Sequence, residues 1–275
     1  MTSSSVTVIR PRKLLSLDLK EIWAYRELFY IFAWRDIKVR YKQTILGVAW
    51  VVFQPVVSTF IFTILFGRLA DIPSGNLPYS LFVMIGLIFW NFFSNSLNSA
   101  SNSLVNNEHI IKKVYFPKII LPFSSILTGL VDLGVSLLLL MGYTLFIGYT
   151  PHFAFWLILP LAIIFTTFCA FGIGLFFCAL NVKYRDVRYI LPFFFQTLMF
   201  LTPVIYSLEI ISGRNSVLMA LNPMTSVIEL NRHCFSGLCY INFNLALISI
   251  LASTFYFVVG YWYFKRTEYL FADIV

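Results

Sequence analysis

Apolar residues fall in six long runs, at positions 45–66, 79–97, 119–147, 153–180, 190–206 and 245–264, divided by shorter polar stretches. The runs are continuous rather than alternating, so they predict helices and not half-buried strands. A bilayer core offers no water to backbone N–H and C=O groups, and an apolar run of about 20 residues is read as a spanning helix. The third and fourth runs are longer and carry Pro122 and Pro160, where tilt or a bend is absorbed. The fifth is short and has Pro192 and Pro203 near its ends. The pattern predicts an all-α integral membrane protein with six transmembrane helices, occupying residues 45–275.

Ahead of the first run, residues 1–16 read as a polar tail, and residues 1–21 contain no apolar core of signal-peptide length. From about 18 to 42 the period is helical. Tyr30, Trp34, Ile37 and Tyr41 share one face, whereas Arg35, Asp36, Arg40 and Lys42 point elsewhere. An aromatic stripe with basic flanks beside a span predicts an N-terminal interfacial amphipathic helix, so residues 1–44 form a cytoplasmic tail plus that helix. Between the fifth and sixth runs, the patches 217–221 and 227–230 are too short to span and are split by Asn222-Pro223. Such segments are re-entrant or interfacial. Glu229 and Arg232 lie three apart and can pair on one helical face. Cys234 and Cys239 lie in the same stretch, five apart, which does not put them on one helical face.

Composition removes most alternatives. The chain is 59% hydrophobic and 12% charged, with a mean hydropathy of +0.83. A soluble domain carries about 25% charged residues, so a water-soluble enzyme is excluded. Of the 20 Lys and Arg residues, 17 lie on one set of alternate connections and 3 on the other. By the positive-inside rule both termini are cytoplasmic. No Gly-Lys dipeptide occurs, hence no phosphate-cradling loop. Eleven of the twelve acidic residues lie outside the runs. The exception, Asp132, is a functional candidate by its place inside a run; its structural reading is a neutral carboxyl, or one bonded to Ser136, Thr128 or another subunit. A transferase acting on a lipid carrier would need acid, base or metal ligands converging near one leaflet, and the spans supply only Asp132. Neither a catalytic residue nor a metal site is expected.

Four stretches carry a family resemblance. They are residues 34–50 (WRDIKVRYKQTILGVAW, followed by Gln54-Pro55), 182–207 (VKYRDVRYILPFFFQTLMFLTPVIYS), 222–232 (NPMTSVIELNR) and 264–275 (FKRTEYLFADIV). In this order and spacing the chain resembles the permease subunits of ABC-type polysaccharide and O-antigen exporters, of the ABC-2 type transporter family. Ser226 departs from the pattern, where proline is expected. The resemblance implies a homodimer in the bacterial inner membrane, paired with two ATP-binding subunits that carry the ATP and Mg. It implies export of a lipid-linked polysaccharide such as O-antigen for lipopolysaccharide biosynthesis, with membrane lipids but no nucleic acid as further partners. Teichoic acid, capsule or a drug or lipid cargo on the same fold are the alternatives.

Site residues follow from the same resemblance. Glu108, Lys112, Lys113 and Phe116 belong to a segment implied to couple to the ATPase, with Arg35, Asp36 and Arg40 beside it. Trp50, Phe53 and Phe60 of the first span and Phe193, Gln196 and Phe200 of the fifth are implied to line the substrate path, since sugar C–H faces slide on aromatic rings. Phe62 is expected to point away from it. Two short re-entrant helices between spans five and six, with Asn222, Pro223, Glu229 and Arg232, are implied to form a periplasmic gate.

Overall fold

A computed structural model describes residues 19–42, 47–184, 186–211, 214–237 and 242–271. Among these residues the chain is helical, with no strand. Five helices are long and apolar enough to cross a membrane: Ala49–Leu69, Tyr79–Asn106, Ile120–Phe146, Phe155–Lys183 and Phe243–Thr267. The first comprises α3 (Gly47–Phe62) and a π-helical continuation, Thr63–Leu69. The others are α4, α6, α7 and α11. Before them stand α1 (Leu19–Ala24) and α2 (Arg26–Lys42); α5 (Glu108–Ile111), α8 (Val187–Leu201), α9 (Arg214–Ala220) and α10 (Pro223–Phe235) complete the set.

Two runs end elsewhere than the pattern predicts. The second continues as helix for nine residues past Leu97, through Asn106. Its polar side chains bond back onto their own helix: Ser101 Oγ donates to the Leu97 carbonyl at 2.6 Å and Asn102 Nδ2 to the Asn98 carbonyl at 2.8 Å. Residues that resemble a loop in composition thus satisfy themselves inside a helix. The expected fifth run, 190–206, is helical only to Leu201. Pro203 holds Thr202 in extended backbone, with ψ 141°. At 15 residues α8 is about 22 Å long, short of a bilayer core of about 30 Å.

The core is built around α4, which packs against α3, α6, α7, α8 and α10. Of its most apolar window 78% is buried, against 11% for the first apolar helix. Opposite, α7 and α11 cross at Gly172 and Gly260. A β-carbon at Gly172 would come 2.5 Å from Phe257 Cα, and one at Gly260 would overlap the Gly172 carbonyl. Small residues permit this backbone contact, as packing between apolar helices requires. A second, smaller core joins α2 to the start of α6 and the end of α11. There Phe32 meets Phe116 at 5.6 Å, Phe29 stacks on Phe123 at 5.1 Å, and Phe264 meets Phe271 at 5.2 Å. This is the basal end; α9 and α10 mark the apical end.

Candidate functional site

A groove of about 580 Å³ opens between α3, α4 and α6. Its polar lining is Gln54 from α3, Asn91 and Asn95 from α4, and Asp132 and Ser136 from α6; Trp50 and Arg40 complete its edge. Arg40 Nη1 and the Tyr41 hydroxyl both donate to the Asp132 carboxylate. Burial and that bond to Asp132 raise the Tyr41 pKa, so its hydroxyl keeps its proton and donates. This corrects two expectations. Asp132 is held by α2, with Ser136 Oγ donating only to its backbone carbonyl at 2.9 Å and Thr128 bonding instead to Ser125 O. Arg40, expected beside the docking segment, lines the groove, where it meets the carboxylate of α6. Arg35 and Asp36 pair with each other at 2.7 Å.

The path residues of α3 all face outward, with Trp50 58%, Phe53 55% and Phe60 65% exposed. Gln54 is exposed beside them. On α8, Phe193, Gln196 and Phe200 are likewise exposed. Both helices flank α4. Phe62, expected to point away from the path, is half-buried against Phe66. A second cavity, of about 570 Å³, lies behind α8 and is almost wholly apolar, with Phe194, Phe195, Leu201 and Met219 in its wall.

At the apical end Arg232 is buried. Its guanidinium donates to the carbonyls of Phe82 at 3.1 Å, Pro203 at 2.6 Å and Val204 at 2.6 Å. It also meets Glu229 at 3.4 Å and lies 3.4 Å from the centre of the Phe82 ring. Burial lowers its pKa to about 10, against the pull of Glu229. Glu229 receives the Leu208 N–H at 3.3 Å. Asn222 caps α10, accepting from Met224 N at 3.1 Å with Pro223 in the first turn, and donates to Thr202 Oγ1 at 2.6 Å. The four expected gate residues therefore form one bonded unit with the end of α8. Ser226, where proline was expected, bonds Ser249 Oγ at 2.7 Å and ties α10 to α11. Cys234 is buried and donates to Leu230 O; Cys239 lies outside the described residues.

At the basal end α5 has four residues and is followed by a turn. Lys112 and Lys113 are exposed there, and Glu108 lies 3.7 Å from His109. Phe116 is 3% exposed, packed on Phe32, and so cannot offer a surface to a partner. Tyr115, 66% exposed, is the outward ring. Of two adjacent aromatics only one can face in, and the sequence carries no sign of which. Among the described residues no three His, Cys, Asp or Glu side chains gather as a metal site.

Residues 27–235 match the family described as ABC-2 type transporter. The O-antigen export system permease protein RfbA of Klebsiella pneumoniae is 27% identical over 265 residues, 95% of this chain and 100% of that protein. A protein of the same description from Myxococcus xanthus is 29% identical over 211 residues, 76% of this chain and 80% of its own. The polysialic acid transport protein KpsM of Escherichia coli is 24% identical over 204 residues, 72% and 77% of the two chains.

Proposed function

The chain belongs to the ABC-2 type transporter family, and from that footing we propose that it is the permease subunit of an ATP-driven exporter of lipid-linked, O-antigen-like polysaccharide. One observation carries the transport reading. The first apolar helix buries only 11% of its window in its own chain and turns Trp50, Phe53 and Phe60 outward. A helix with so little of its own chain around it requires lipid or a second copy, and rings in that position supply a lane on which sugars slide. The relatives support the cargo: two of them are described as O-antigen export permeases and match over most of both chains. The likeness to a polysialic acid transporter supports capsule as the second reading.

In this reading two copies pair with α3 and α8 along the path, in the inner membrane. Helix α8 and the turn after it make the short fifth of six crossings, and α9 and α10 dip back from the periplasmic side as the gate. Trp23, Tyr30 and Trp34, all exposed, anchor the N-terminal helices at the cytoplasmic interface. The bias of 17 basic residues to 3 puts both termini in the cytoplasm. Two ATP-binding subunits, which hold the ATP and Mg, seat at the basal end against Lys112, Lys113 and the outward Tyr115.

Removing the chain should trap polymer inside the cell, and analysis of that polymer identifies the cargo; no trapped glycan would refute the reading. Lys112→Glu with Lys113→Glu should abolish co-purification of the ATPase and export together. Unchanged export in that variant would remove the basal end from the coupling role.

A further inference from the structure

We propose that the groove between α3, α4 and α6 is a hydroxyl-binding rail, in which Gln54, Asn91 and Asn95 hydrogen-bond the passing glycan while Trp50 packs against its C–H faces. The proposal rests on the polysaccharide reading and adds to the aromatic lane a polar wall on a helix that lane does not include.

On α4, Asn91, Asn95, Asn98 and Asn102 recur at steps of four, three and four, which is one helical face. The basal member of this row is occupied. Asn102 donates to the Asn98 side chain at 3.1 Å and accepts from Asn181 Nδ2 at 3.0 Å. Farther along, Asn91 and Asn95 open into the groove opposite Gln54. Among the described residues, the side chains of these three amides neither donate to nor accept from a neighbouring group. Lipid tails cannot answer them, and unanswered amides at membrane depth are costly. The occupant must therefore be polar.

Its class follows from the chemistry of the wall. Each amide offers both donor and acceptor, as each sugar hydroxyl does, so the two match without regard to which sugar arrives. Among the described residues that line the groove, the charged ones, Arg40 and Asp132, face each other. Neutral hydrogen bonds are about half as strong as charge-assisted ones, which suits a polymer that must advance and not stay. At about 580 Å³ the groove lies within the usual range of about 300–1,000 Å³ for small-molecule sites, enough for a short stretch of a chain. Trp50, 58% exposed at its edge, joins the groove to the outward rings of α3.

The test uses a strain lacking the chain. Wild-type protein is first shown to restore surface glycan; failure there would overturn the transport reading itself, and this inference with it. In the restored strain, Gln54→Leu, Asn91→Leu and Asn95→Leu together keep bulk but remove the amides. At equal protein level, export should fall about tenfold, the factor carried by about 1.4 kcal/mol. Export equal to wild type would overturn the rail and leave the transport reading intact. A second measurement places Asn95→Cys in a background with Cys169, Cys178, Cys234 and Cys239 changed to serine. A small water-soluble thiol reagent should label it, and a glycan arrested in transit should block the labelling. A disulfide between two copies through Asn95→Cys would instead assign these amides to a subunit contact and overturn the rail.

Discussion

Two arginines each fasten a non-spanning helix onto helices that span, and they do so by different means. Arg232, on α10, has a side chain 3% exposed and is ringed by backbone carbonyls of α4 and of the turn after α8. Arg40, on α2, has a side chain 39% exposed and meets the carboxylate of Asp132 on α6. The carbonyls of Pro203 and Val204 lie just past the end of α8 at Leu201, so Arg232 stands in for donors that a longer helix would have supplied. Its carbonyl partners cannot change charge. Asp132 is a charge that Arg40 cancels from another element, half open to the groove, and such a pair can part and re-form. The apical junction is thus a staple and the basal one a latch.

The largest effect should come from breaking the staple. Arg232→Met keeps the volume and removes every donor, leaving buried carbonyls unanswered and Glu229 without the guanidinium. A loss of about 3–5 kcal/mol is expected, read as a collapse of the thermal midpoint and of the monodisperse peak in detergent. Arg232→Lys should not rescue it, because one ammonium cannot reach carbonyls that the flat fork meets from several nitrogens. A wild-type midpoint for Arg232→Met would show that the junction is no staple. The latch should cost less. Arg40→Ala leaves Asp132 without its cation and should lower stability by about 1–3 kcal/mol, since the site is half exposed. Adding Asp132→Ala should recover most of that. A double-mutant cycle on the two should give a coupling of about 0.5–3 kcal/mol, and zero coupling would mean that the contact carries no energy. Asp132→Asn should keep both fold and export, as fits a structural carboxyl.

The contrast between the two junctions also explains what was legible in advance. The long helices were readable because continuous apolar runs admit one solvent and one backbone conformation. The extension of α4 was not, since Ser101 and Asn102 have loop-like composition and only their bonds back onto the helix reveal otherwise. The Glu229–Arg232 pair was visible from its spacing of three. The carbonyls that dominate Arg232 were invisible, because backbone acceptors are the same at every residue and Phe82 lies 150 positions away. Asp132 posed the reverse case. A carboxylate within a span demands a cation, and Arg40 stands close before the first span, yet a separation of 92 residues hid the match. Each arginine thus has partners inside the chain, Phe82 and the turn after α8 for Arg232 and Asp132 for Arg40, that its place in the sequence does not announce.

The smallest effect separates the two donors of the latch. Tyr41→Phe removes one hydroxyl and leaves the ring in place, while Arg40 still donates to Asp132. A hydrogen bond to a charged group contributes about 1.5–3 kcal/mol, and at this part-buried site, where Arg40 still answers Asp132, a fall of about 0.5–1.5 kcal/mol is expected. The pH dependence checks the assignment. Burial first, and then the bond to Asp132, raise the Tyr41 pKa above its ordinary 10.0. The unfolded hydroxyl therefore ionises before the folded one does. The contribution of Tyr41 is whole below about pH 10 and is lost as pH rises beyond it. Thermal midpoints of wild type and Tyr41→Phe should differ by a constant amount from about pH 7 to 9 and converge above about pH 10. Convergence already near neutrality would mean that the tyrosine does not hold Asp132 as a neutral donor, and the latch would reduce to the arginine alone.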